Sequence, residues 1–515
     1  MSETLQSYVA GRWVAGSGEG REVRDAVTGE TVTRVTSEGI DLGAAVAHAR
    51  TKGGPALRAM TFHERAAALK AAAAAVQEGK DRLYELSARA GCTARDAAVD
   101  VDGGIGTAMV YSSLGRKGLP EGTVIVEDDF IQLGKEGVFG GRHVLTSPHG
   151  ISLQINAFNF PVWGMLEKLA PALLAGVPTI VKPATPTAYI AVEAVRMMVE
   201  SEALPEGALQ VVAGSIPGLF DELGGQDHIG FTGSADTAAS LRADAAVTRR
   251  SAHFNAEADS LNASVLGPDA APGEPEFDLF VKALVTEMTV KAGQKCTAIR
   301  RALVPAERVD AVAEAVAQRL GGIGIGAPGA EGVRMGALVG TAQRDDVRDA
   351  ARRIAGAGTV VFGDVDRVDV IGADAERGAF MSPVLVRVDD ADRSEPHEVE
   401  AFGPVSALMG YRDPEHAVAL LARGEGSLAG SVVSADADFV TQVVTGAAPF
   451  HGRVLVLDRD SAPESTGHGT PMPQLVHGGP GRAGGGQEEG GLRAVHAHLQ
   501  RTAVQGSPAV LGRLG

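Results

Sequence analysis

The most restrictive feature of this sequence is an alternation of short apolar runs and helical segments that starts at residue 151. Helical patterns at 163–175 and 188–201 separate runs that have the length of buried strands. These runs are 151–155, 179–182, 210–212 and 228–231. Strands that alternate with helices form a doubly wound parallel sheet, and such sheets bind ligands at the carboxyl ends of their strands. The sequence therefore predicts a ligand cleft beside the loops that follow these runs.

Length and composition fit a large α/β protein. About three domains are expected for 515 residues, and a hydrophobic content of 44% is ample for large cores. The net charge of -17 argues against a nucleic-acid partner. We identify no signal peptide and no apolar segment of membrane-spanning length, and so expect no membrane association. Two cysteines provide no disulfide framework and no metal site, which favours a cytoplasmic location.

The rest of the chain divides into blocks on either side of the alternating segment. The blocks are short strands at 7–36, helices at 41–115, a β-ribbon at 123–147, a second α/β block from about 260 to 470, a glycine-rich loop at 478–491 and a last strand at 502–504. Because an exposed ribbon leaves unpaired backbone edges, we expect a partner subunit to cover the ribbon.

Cys296 is the candidate nucleophile of the second block. It lies in a turn that contains Gly293, between a helix-like run at 277–288 and a strand-like run at 298–304. A thiol becomes a strong nucleophile as the thiolate, which basic neighbours favour, and Lys295 is adjacent in sequence. Most lone cysteines are instead small buried hydrophobic residues. We apply that structural interpretation to Cys92, which has no His or acid pattern around it.

Motifs in order along the chain resemble the aldehyde dehydrogenase superfamily over essentially its whole length. Each motif is weak alone, but their shared order and spacing are specific. They are Phe-Asn-Phe-Pro at 158–161, Val-Lys-Pro-Ala at 181–184, Phe-Thr-Gly-Ser at 231–234, Gly-Gln-Lys-Cys at 293–296 and Glu-Ala-Phe-Gly-Pro-Val at 400–405.

The resemblance implies an α/β fold of two doubly wound parallel-sheet domains with a small β oligomerisation ribbon. The expected parts are a dinucleotide-binding domain at 1–122 and 148–258, a catalytic domain at 259–491, and oligomerisation elements at 123–147 and 492–515. The final strand and the ribbon resemble the elements through which family members associate. A homodimer or a tetramer is therefore expected.

The resemblance also implies a catalytic set for aldehyde oxidation. Cys296 matches the nucleophile that forms a thiohemiacetal with the aldehyde. The Asn159 side-chain amide and the backbone N–H of Cys296 match the oxyanion donors, a contact worth roughly 3–4 kcal/mol. Glu257 matches the base that releases the acid from the thioester, although the usual Glu-Leu-Gly-Gly motif has lost its glycines. Asp259 is an alternative base, and either carboxylate is otherwise a surface acid.

The same resemblance implies a nicotinamide cofactor. Its expected contacts are Lys182 at the adenosine ribose, Gly214 on the adenine side, Ser234 at the pyrophosphate, and Glu400 with Phe402 at the nicotinamide ribose and ring. NAD-preferring relatives often carry a glutamate three residues after the lysine, where this chain has Thr185. A carboxylate there would repel a 2′-phosphate, whereas Thr185 can accept one. NADP is therefore the expected preference, with NAD as the alternative.

Departures from the common motifs narrow the expected substrate. The residues at 157–158, 255–262 and 477–486 resemble the branch that oxidises ring-opened, CoA-linked semialdehydes in bacterial aerobic catabolism of benzoate or phenylacetate. One bifunctional member of that branch carries a hydratase domain after the dehydrogenase, and we expect none here because the chain stops at 515. Retention of Glu257 favours release of a free acid over acyl transfer to CoA.

The sequence leaves alternatives open for the CoA contacts, for the substrate and for the class of protein. Arg482, Arg493 and His477 are candidates for a basic mouth that binds a CoA thioester, or else solvated loop residues. The enzyme alternative is a dehydrogenase for a simple aliphatic or aromatic aldehyde without CoA. A different class is an inactive nucleotide-binding or structural protein on this fold. The intact catalytic and cofactor set argues against that last interpretation.

Overall fold

The computed structural model describes residues 3–485 and 490–514. Residues 486–489 of the predicted glycine-rich loop, and the terminal residues 1, 2 and 515, lie outside this description. The strands are β1 (Gln6–Val9), β2 (Arg12–Ala15), β3 (Arg21–Arg24), β4 (Thr31–Val35), β5 (Ile125–Gln132), β6 (Gly140–Thr146), β7 (Ser152–Ile155), β8 (Thr179–Lys182), β9 (Leu209–Val211), β10 (His228–Thr232), β11 (His253–Glu257), β12 (Ala263–Leu266), β13 (Arg301–Pro305), β14 (Gly324–Ile325), β15 (Val333–Met335), β16 (Thr359–Phe362), β17 (Val384–Val388), β18 (Val405–Tyr411), β19 (Ser427–Val433), β20 (His451–Leu457) and β21 (Gln500–Gly506).

The α-helices occupy the intervals between these strands. They are α1 (Leu42–His48), α2 (Gly54–Ala59), α3 (Phe62–Glu78), α4 (Lys80–Arg89), α5 (Ala94–Gly118), α6 (Trp163–Leu174), α7 (Ala188–Glu200), α8 (Ala235–Arg242), α9 (Ala245–Thr248), α10 (Pro275–Thr289), α11 (Val309–Gly321), α12 (Thr341–Ala355), α13 (Glu395–Glu398), α14 (Pro414–Ala422), α15 (Ala437–Ala447), α16 (Gly491–Ala497) and α17 (Pro508–Leu511). None of the helices in the described part of the chain is long and apolar enough to cross a membrane.

The first seven-stranded sheet contains the alternating segment that the sequence predicts. Its strand order is β11-β10-β7-β8-β9-β1-β2, and β7 to β11 are mutually parallel. All residues of β7 are buried, as expected for a strand covered by helices on both faces. Helices α3, α5 and α6 pack into one hydrophobic core with this sheet. The predicted doubly wound fold is confirmed.

Helix α5 begins with a capping box that is buried. Thr93 accepts a hydrogen bond from the backbone N–H of Asp96 at 3.2 Å, and the Asp96 carboxylate accepts one from the backbone N–H of Thr93 at 3.0 Å. This reciprocal pair satisfies two backbone donors that an uncapped helix would leave free. The cap fixes where the long helix α5 starts, beside the loop that carries Cys296.

The second seven-stranded sheet has the order β16-β17-β18-β13-β12-β19-β20, with only its edge strand β16 antiparallel to its neighbour. The strand predicted at 298–304 begins at Arg301 instead. The reason is that the Asn262 side chain binds the carbonyl of Ala298, so the residues before Arg301 belong to a loop.

The predicted ribbon is a three-stranded antiparallel sheet of β5, β6 and β21. Its tip exposes large apolar side chains, with Val138 68% exposed and Leu133 56% exposed. The domain limits and the covering of this ribbon by a partner stay predictions.

Candidate active site

The carboxyl edge of the first sheet positions one half of the predicted site. Glu257 is the last residue of β11, and Lys182 is the last of β8. Asn159, Gly214 and Ser234 lie in the loops after β7, β9 and β10. Because these strands are parallel and adjacent, their ends meet along one edge, as expected for the ligand side of such a sheet.

The amino edge of the second sheet supplies the other half. Cys296 lies just before β13, and Glu400 and Phe402 lie just before β18. β13 and β18 are neighbours in this sheet, so their preceding loops face the same edge. The two edges enclose a cleft that both Glu257 and Cys296 border.

The loop before Cys296 has an unusual backbone. Lys291, Ala292 and Gly293 all adopt left-handed conformations, with φ of 53°, 50° and 68°. A Cβ on Gly293 would lie 2.3 Å from the carbonyl oxygen of Gly403, so only glycine fits against the loop that carries Glu400 and Phe402. The Asp96 carboxylate of α5 accepts a hydrogen bond from the backbone N–H of Lys291 at 2.8 Å and holds the turn in place.

Helix α5 also holds the loop that carries Asn159. Asp100, one helical turn after Asp96, accepts hydrogen bonds from the backbone N–H groups of Trp163 at 2.8 Å and Val162 at 3.3 Å. Two carboxylates on one face of α5 therefore fix both catalytic loops relative to each other. Sequence reasoning missed this role, because acidic residues spaced by four on a helix give no signal of what they face.

Asn262 fixes the nucleophile from the other side. Its Nδ2 donates to the carbonyl oxygens of Cys296 at 2.8 Å and Ala298 at 3.1 Å. The hydroxyl of Ser260 donates to Asn262 Oδ1 at 2.6 Å, which orients the amide. Sequence reasoning did not single out Asn262, although it lies in the stretch at 255–262 that was aligned with the base motif.

The Cys296 thiol is partly buried next to Glu257. Burial, the negative charge of Glu257 and a hydrogen bond to its carboxylate raise the pKa of the thiol well above its usual range, against an opposing effect of Arg453. The resting group is therefore a thiol, and the adjoining carboxylate is positioned to take its proton.

The expectation that Lys295 favours the thiolate is wrong. Its Nζ lies 2.7 Å from both carboxylate oxygens of Glu287 on α10, so its charge is committed to a buried ion pair. The sequence places Lys295 beside Cys296 but does not show that the lysine has a buried carboxylate partner on α10.

Asn159 has the environment that an oxyanion donor needs. The residue is 6% exposed and lines the same cavity as Cys296 and Glu257. Among the described residues, its Nδ2 has no hydrogen-bond acceptor. A buried amide donor without a partner costs about 1–3 kcal/mol, so an acceptor supplied by a ligand would satisfy it.

The cavity in front of the thiol is narrow, about 90 Å³. Its walls include an ion pair between Glu167 of α6 and His477 of the tail. Burial alone would raise the pKa of the Glu167 carboxyl. The pKa is instead lowered to about 2 by the neighbouring His477, Lys168 and Arg453. The Nε2 of His477 lies 3.1 Å from the carbonyl oxygen of Met472. Both ring nitrogens therefore face oxygen atoms, which hold the imidazole ring in the cavity wall.

Glu400 and Phe402 lie in a wider cleft, about 690 Å³, that also contains Lys182 and Ser234. Burial raises the pKa of Glu400 to about 7, against the opposing charge of Arg300. One Glu400 oxygen accepts the backbone N–H of Ser260 at 3.1 Å. Its Oε1 is buried without a hydrogen-bond donor among the described residues, so a ligand hydroxyl fits there.

The structure separates the two candidate bases. Ser234 caps helix α8, and the Asp259 carboxylate accepts a hydrogen bond from Ala235 N–H at the start of that helix, at 2.9 Å. Asp259 is thus committed to a helix terminus in the wide cleft. Glu257 borders both the cleft and the narrow cavity, together with Cys296.

Thr185 and Gly214 lie in an adjoining groove of about 850 Å³, together with the exposed Arg21. Gly214 has a φ of 134°, and a Cβ there would lie 2.7 Å from the backbone nitrogen of Ser37. The fold of the chain itself therefore requires a glycine at position 214.

The proposed basic mouth is not assembled. His477 is buried in the wall of the narrow cavity, and Arg493 is exposed on α16. Arg482 borders the wide cleft and donates to the carbonyl oxygens of His397 at 3.3 Å and Glu398 at 2.6 Å. These side chains do not converge on one cavity, because His477 borders the narrow cavity and Arg482 borders the wide cleft.

Known proteins share both the sequence and this architecture. The chain is 47% identical over 478 residues to 3,4-dehydroadipyl-CoA semialdehyde dehydrogenase of Aromatoleum evansii, which covers 92% of this chain and 93% of that protein. It is 48% identical over 185 residues to Protein MaoC of Klebsiella aerogenes. That alignment covers 35% of this chain and 53% of Protein MaoC.

Among solved structures, betaine aldehyde dehydrogenase of Staphylococcus aureus in complex with NAD+ has the same fold. The TM-score is 0.82 at 23% identity, over 98% of this chain and 95% of that one. Residues 13–503 match the Aldehyde dehydrogenase family. The chain therefore belongs to the aldehyde dehydrogenase family, whose members are oxidoreductases that act on aldehydes.

Proposed function

We propose that this enzyme oxidises a CoA-linked semialdehyde from aerobic aromatic catabolism to the free acid. The observation that carries the proposal is near-complete coverage, at 47% identity, by a relative named for such a substrate. The shape of the site supports it, because a cavity of about 90 Å³ admits a slim acyl chain with an aldehyde end. The bulky nucleotide of CoA would remain outside.

In the first step, Glu257 accepts the thiol proton of Cys296, and the sulfur forms a bond to the aldehyde carbon. The carbonyl oxygen gains the negative charge and receives a hydrogen bond from Asn159 Nδ2, with the backbone N–H of Cys296 as the second donor. A donor placed where charge develops stabilises the transition state more than the aldehyde. Bound NAD(P)+ would supply the hydride acceptor, and a thioester on Cys296 remains.

In the second step, Glu257 passes its first proton to solvent and then takes one from water. The water oxygen bonds to the thioester carbon, the carbon–sulfur bond breaks, and the electron pair returns to Cys296. The products are the carboxylic acid and the free thiolate, which the Glu257 proton neutralises. The hydrogen bond between Glu257 and the resting thiol supports its role in both steps.

We also propose that NADP is the preferred cofactor. The support is the uncharged Thr185 at the position where a carboxylate would repel a 2′-phosphate, and the exposed Arg21 in the same groove. Glu400 Oε1 is a buried acceptor that receives no hydrogen bond from the described residues, and it fits a ribose hydroxyl in the neighbouring cleft. Introducing a carboxylate with Thr185→Glu should lower the ratio of kcat/KM for NADP to that for NAD by about tenfold. A wild-type enzyme with a clear NAD advantage would refute the preference.

The substrate proposal is tested by following NADPH absorbance with a panel of aldehydes. The panel contains a CoA-linked semialdehyde, the free semialdehyde of the same chain length, and simple aliphatic and aromatic aldehydes. The proposal predicts the highest kcat/KM for the CoA-linked compound. Equal or higher kcat/KM for simple aldehydes would instead favour a general aldehyde dehydrogenase.

We further propose a homodimer or tetramer whose interface covers the ribbon of β5, β6 and β21. The support is the exposure of Leu133, Val138 and Phe139 at its tip. Light scattering after size exclusion should show an assembly that Val138→Asp weakens, and a monomeric wild type would refute it. A cytoplasmic location also stays a proposal, resting on the cysteine usage of the sequence.

A further inference from the structure

The narrow cavity contains donors that the catalytic steps do not use, and two of them belong to large side chains. Trp163 of α6 and Arg453 of β20 both line this cavity with Cys296. The indole Nε1 of Trp163 and the Nε of Arg453 are buried, and neither has an acceptor among the described residues. Buried donors in proteins are nearly always paired, so two unpaired donors in one cavity require an explanation.

The other polar groups of the cavity wall do not serve these donors. The Glu167 carboxylate is paired with the His477 side chain. The Nη2 of Arg453 donates a hydrogen bond to the carbonyl oxygen of Gly469 at 2.8 Å, which fixes the guanidinium group against the tail. The Nε of Arg453 takes no part in this hydrogen bond. The indole ring of Trp163 lies edge-on to Phe160, with ring centroids 6.0 Å apart, so its orientation is also fixed.

These donors are separate from the oxyanion donor. Asn159 Nδ2 is another buried donor of this cavity without an acceptor among the described residues, as are Asn156 Nδ2 and Thr232 Oγ1. The proposed chemistry gives the aldehyde oxygen to Asn159. One aldehyde oxygen cannot satisfy donors on Asn159, Trp163 and Arg453 together. A second acceptor must come from elsewhere in the substrate.

We propose that Trp163 Nε1 and Arg453 Nε form a subsite for a second oxygen of the substrate, a carbonyl or carboxylate several carbons from the aldehyde. This inference rests on the proposed function and refines it, because it states how the enzyme tells a semialdehyde derivative from a plain aldehyde. A site built to pair a substrate oxygen rejects an analogue without that oxygen, since the analogue leaves the donors unpaired.

The test compares kcat/KM for three substrates of equal chain length. They are an n-alkanal, an ω-oxo carboxylate, and an ω-oxoacyl thioester of CoA. Trp163→Phe removes the N–H and keeps an aromatic ring, and Arg453→Lys keeps the charge but removes Nε. Val99→Ala is the matched control, because Val99 lines the same cavity without a polar side-chain atom.

Each donor variant should lower the ratio of kcat/KM for an oxygen-bearing substrate to that for the alkanal by about tenfold, whereas Val99→Ala should not change this ratio. A fall confined to the thioester or to the carboxylate identifies which group the subsite binds, and a fall for both identifies the shared carbonyl. An equal loss on all substrates, or no loss, overturns the subsite. The wild-type preference between CoA-linked and free substrates is measured separately, so the proposed function can fail or stand independently.

Discussion

The Asn159 side chain provides the sharpest test of how the site stabilises charge. Asn159→Ala removes a buried donor that has no other partner in the described chain, so no existing hydrogen bond is broken. The loss should fall on the transition state alone. Removal of one oxyanion donor costs about 2.7–4 kcal/mol, which predicts a fall in kcat of about 100- to 1,000-fold. Steady-state NADPH formation at saturating aldehyde measures this fall.

A second variant separates charge stabilisation from packing. Asn159→Asp keeps the shape of the side chain but replaces the donor with an anionic acceptor, so kcat should fall further than in Asn159→Ala. Cofactor affinity, measured by fluorescence titration, should stay near the wild-type value in both variants if the fold is intact. A fall in kcat of less than about fivefold in Asn159→Ala would refute the oxyanion role.

Other contacts in the site give further predictions. Glu257→Gln removes the base of both steps, but it also removes the charge and the hydrogen bond that raise the pKa of the Cys296 thiol, so solvent base can still form the thiolate. Slowed acylation should therefore release about one equivalent of NADPH per active site, followed by turnover at least ~100-fold slower than in the wild type, because hydrolysis has no base. Turnover within about fivefold of the wild-type rate would show that Glu257 is not the base. The pKa of about 7 at Glu400 predicts that the KM for NADP rises up to about tenfold between pH ~8 and ~6, as the ribose-accepting carboxylate becomes protonated, and that Glu400→Gln abolishes this dependence. Glu287→Gln leaves the buried Lys295 ammonium unpaired and should lower the free energy of unfolding by about 3 kcal/mol in thermal denaturation, with an unchanged melting temperature as the contrary result.

The sequence was sufficient for the half of the site that depends on topology. Parallel strands must place their carboxyl ends along one edge, so Asn159, Lys182 and Ser234 could be assigned to one cleft from the order of apolar runs alone. Glu257 was identified only through the family resemblance, because the strand that ends at this residue was not predicted. The left-handed turn at Gly293 was similarly predictable, because a glycine before a lone cysteine marks a tight turn.

The remaining contacts depend on packing between distant segments. Asp96 and Lys291 are 195 positions apart, and nothing local to Asp96 shows that it holds the nucleophile loop. The effect of Lys295 on the Cys296 thiol was mispredicted for the same reason. Its partner Glu287 is on a helix whose orientation only the fold defines. His477 was assigned to a basic mouth because its acidic partner Glu167 is far away in sequence.

The covalent intermediate on Cys296 is tested most directly by the mass of the enzyme after a single turnover. Glu257→Gln is mixed with an ω-oxoacyl-CoA and NADP, quenched in acid and analysed by intact and peptide mass spectrometry. The proposed mechanism predicts an adduct of the full acyl-CoA mass, less the hydrogens lost on oxidation, on the peptide that contains Cys296. An unmodified Cys296 peptide after a burst of NADPH, or an adduct at another residue, would contradict it.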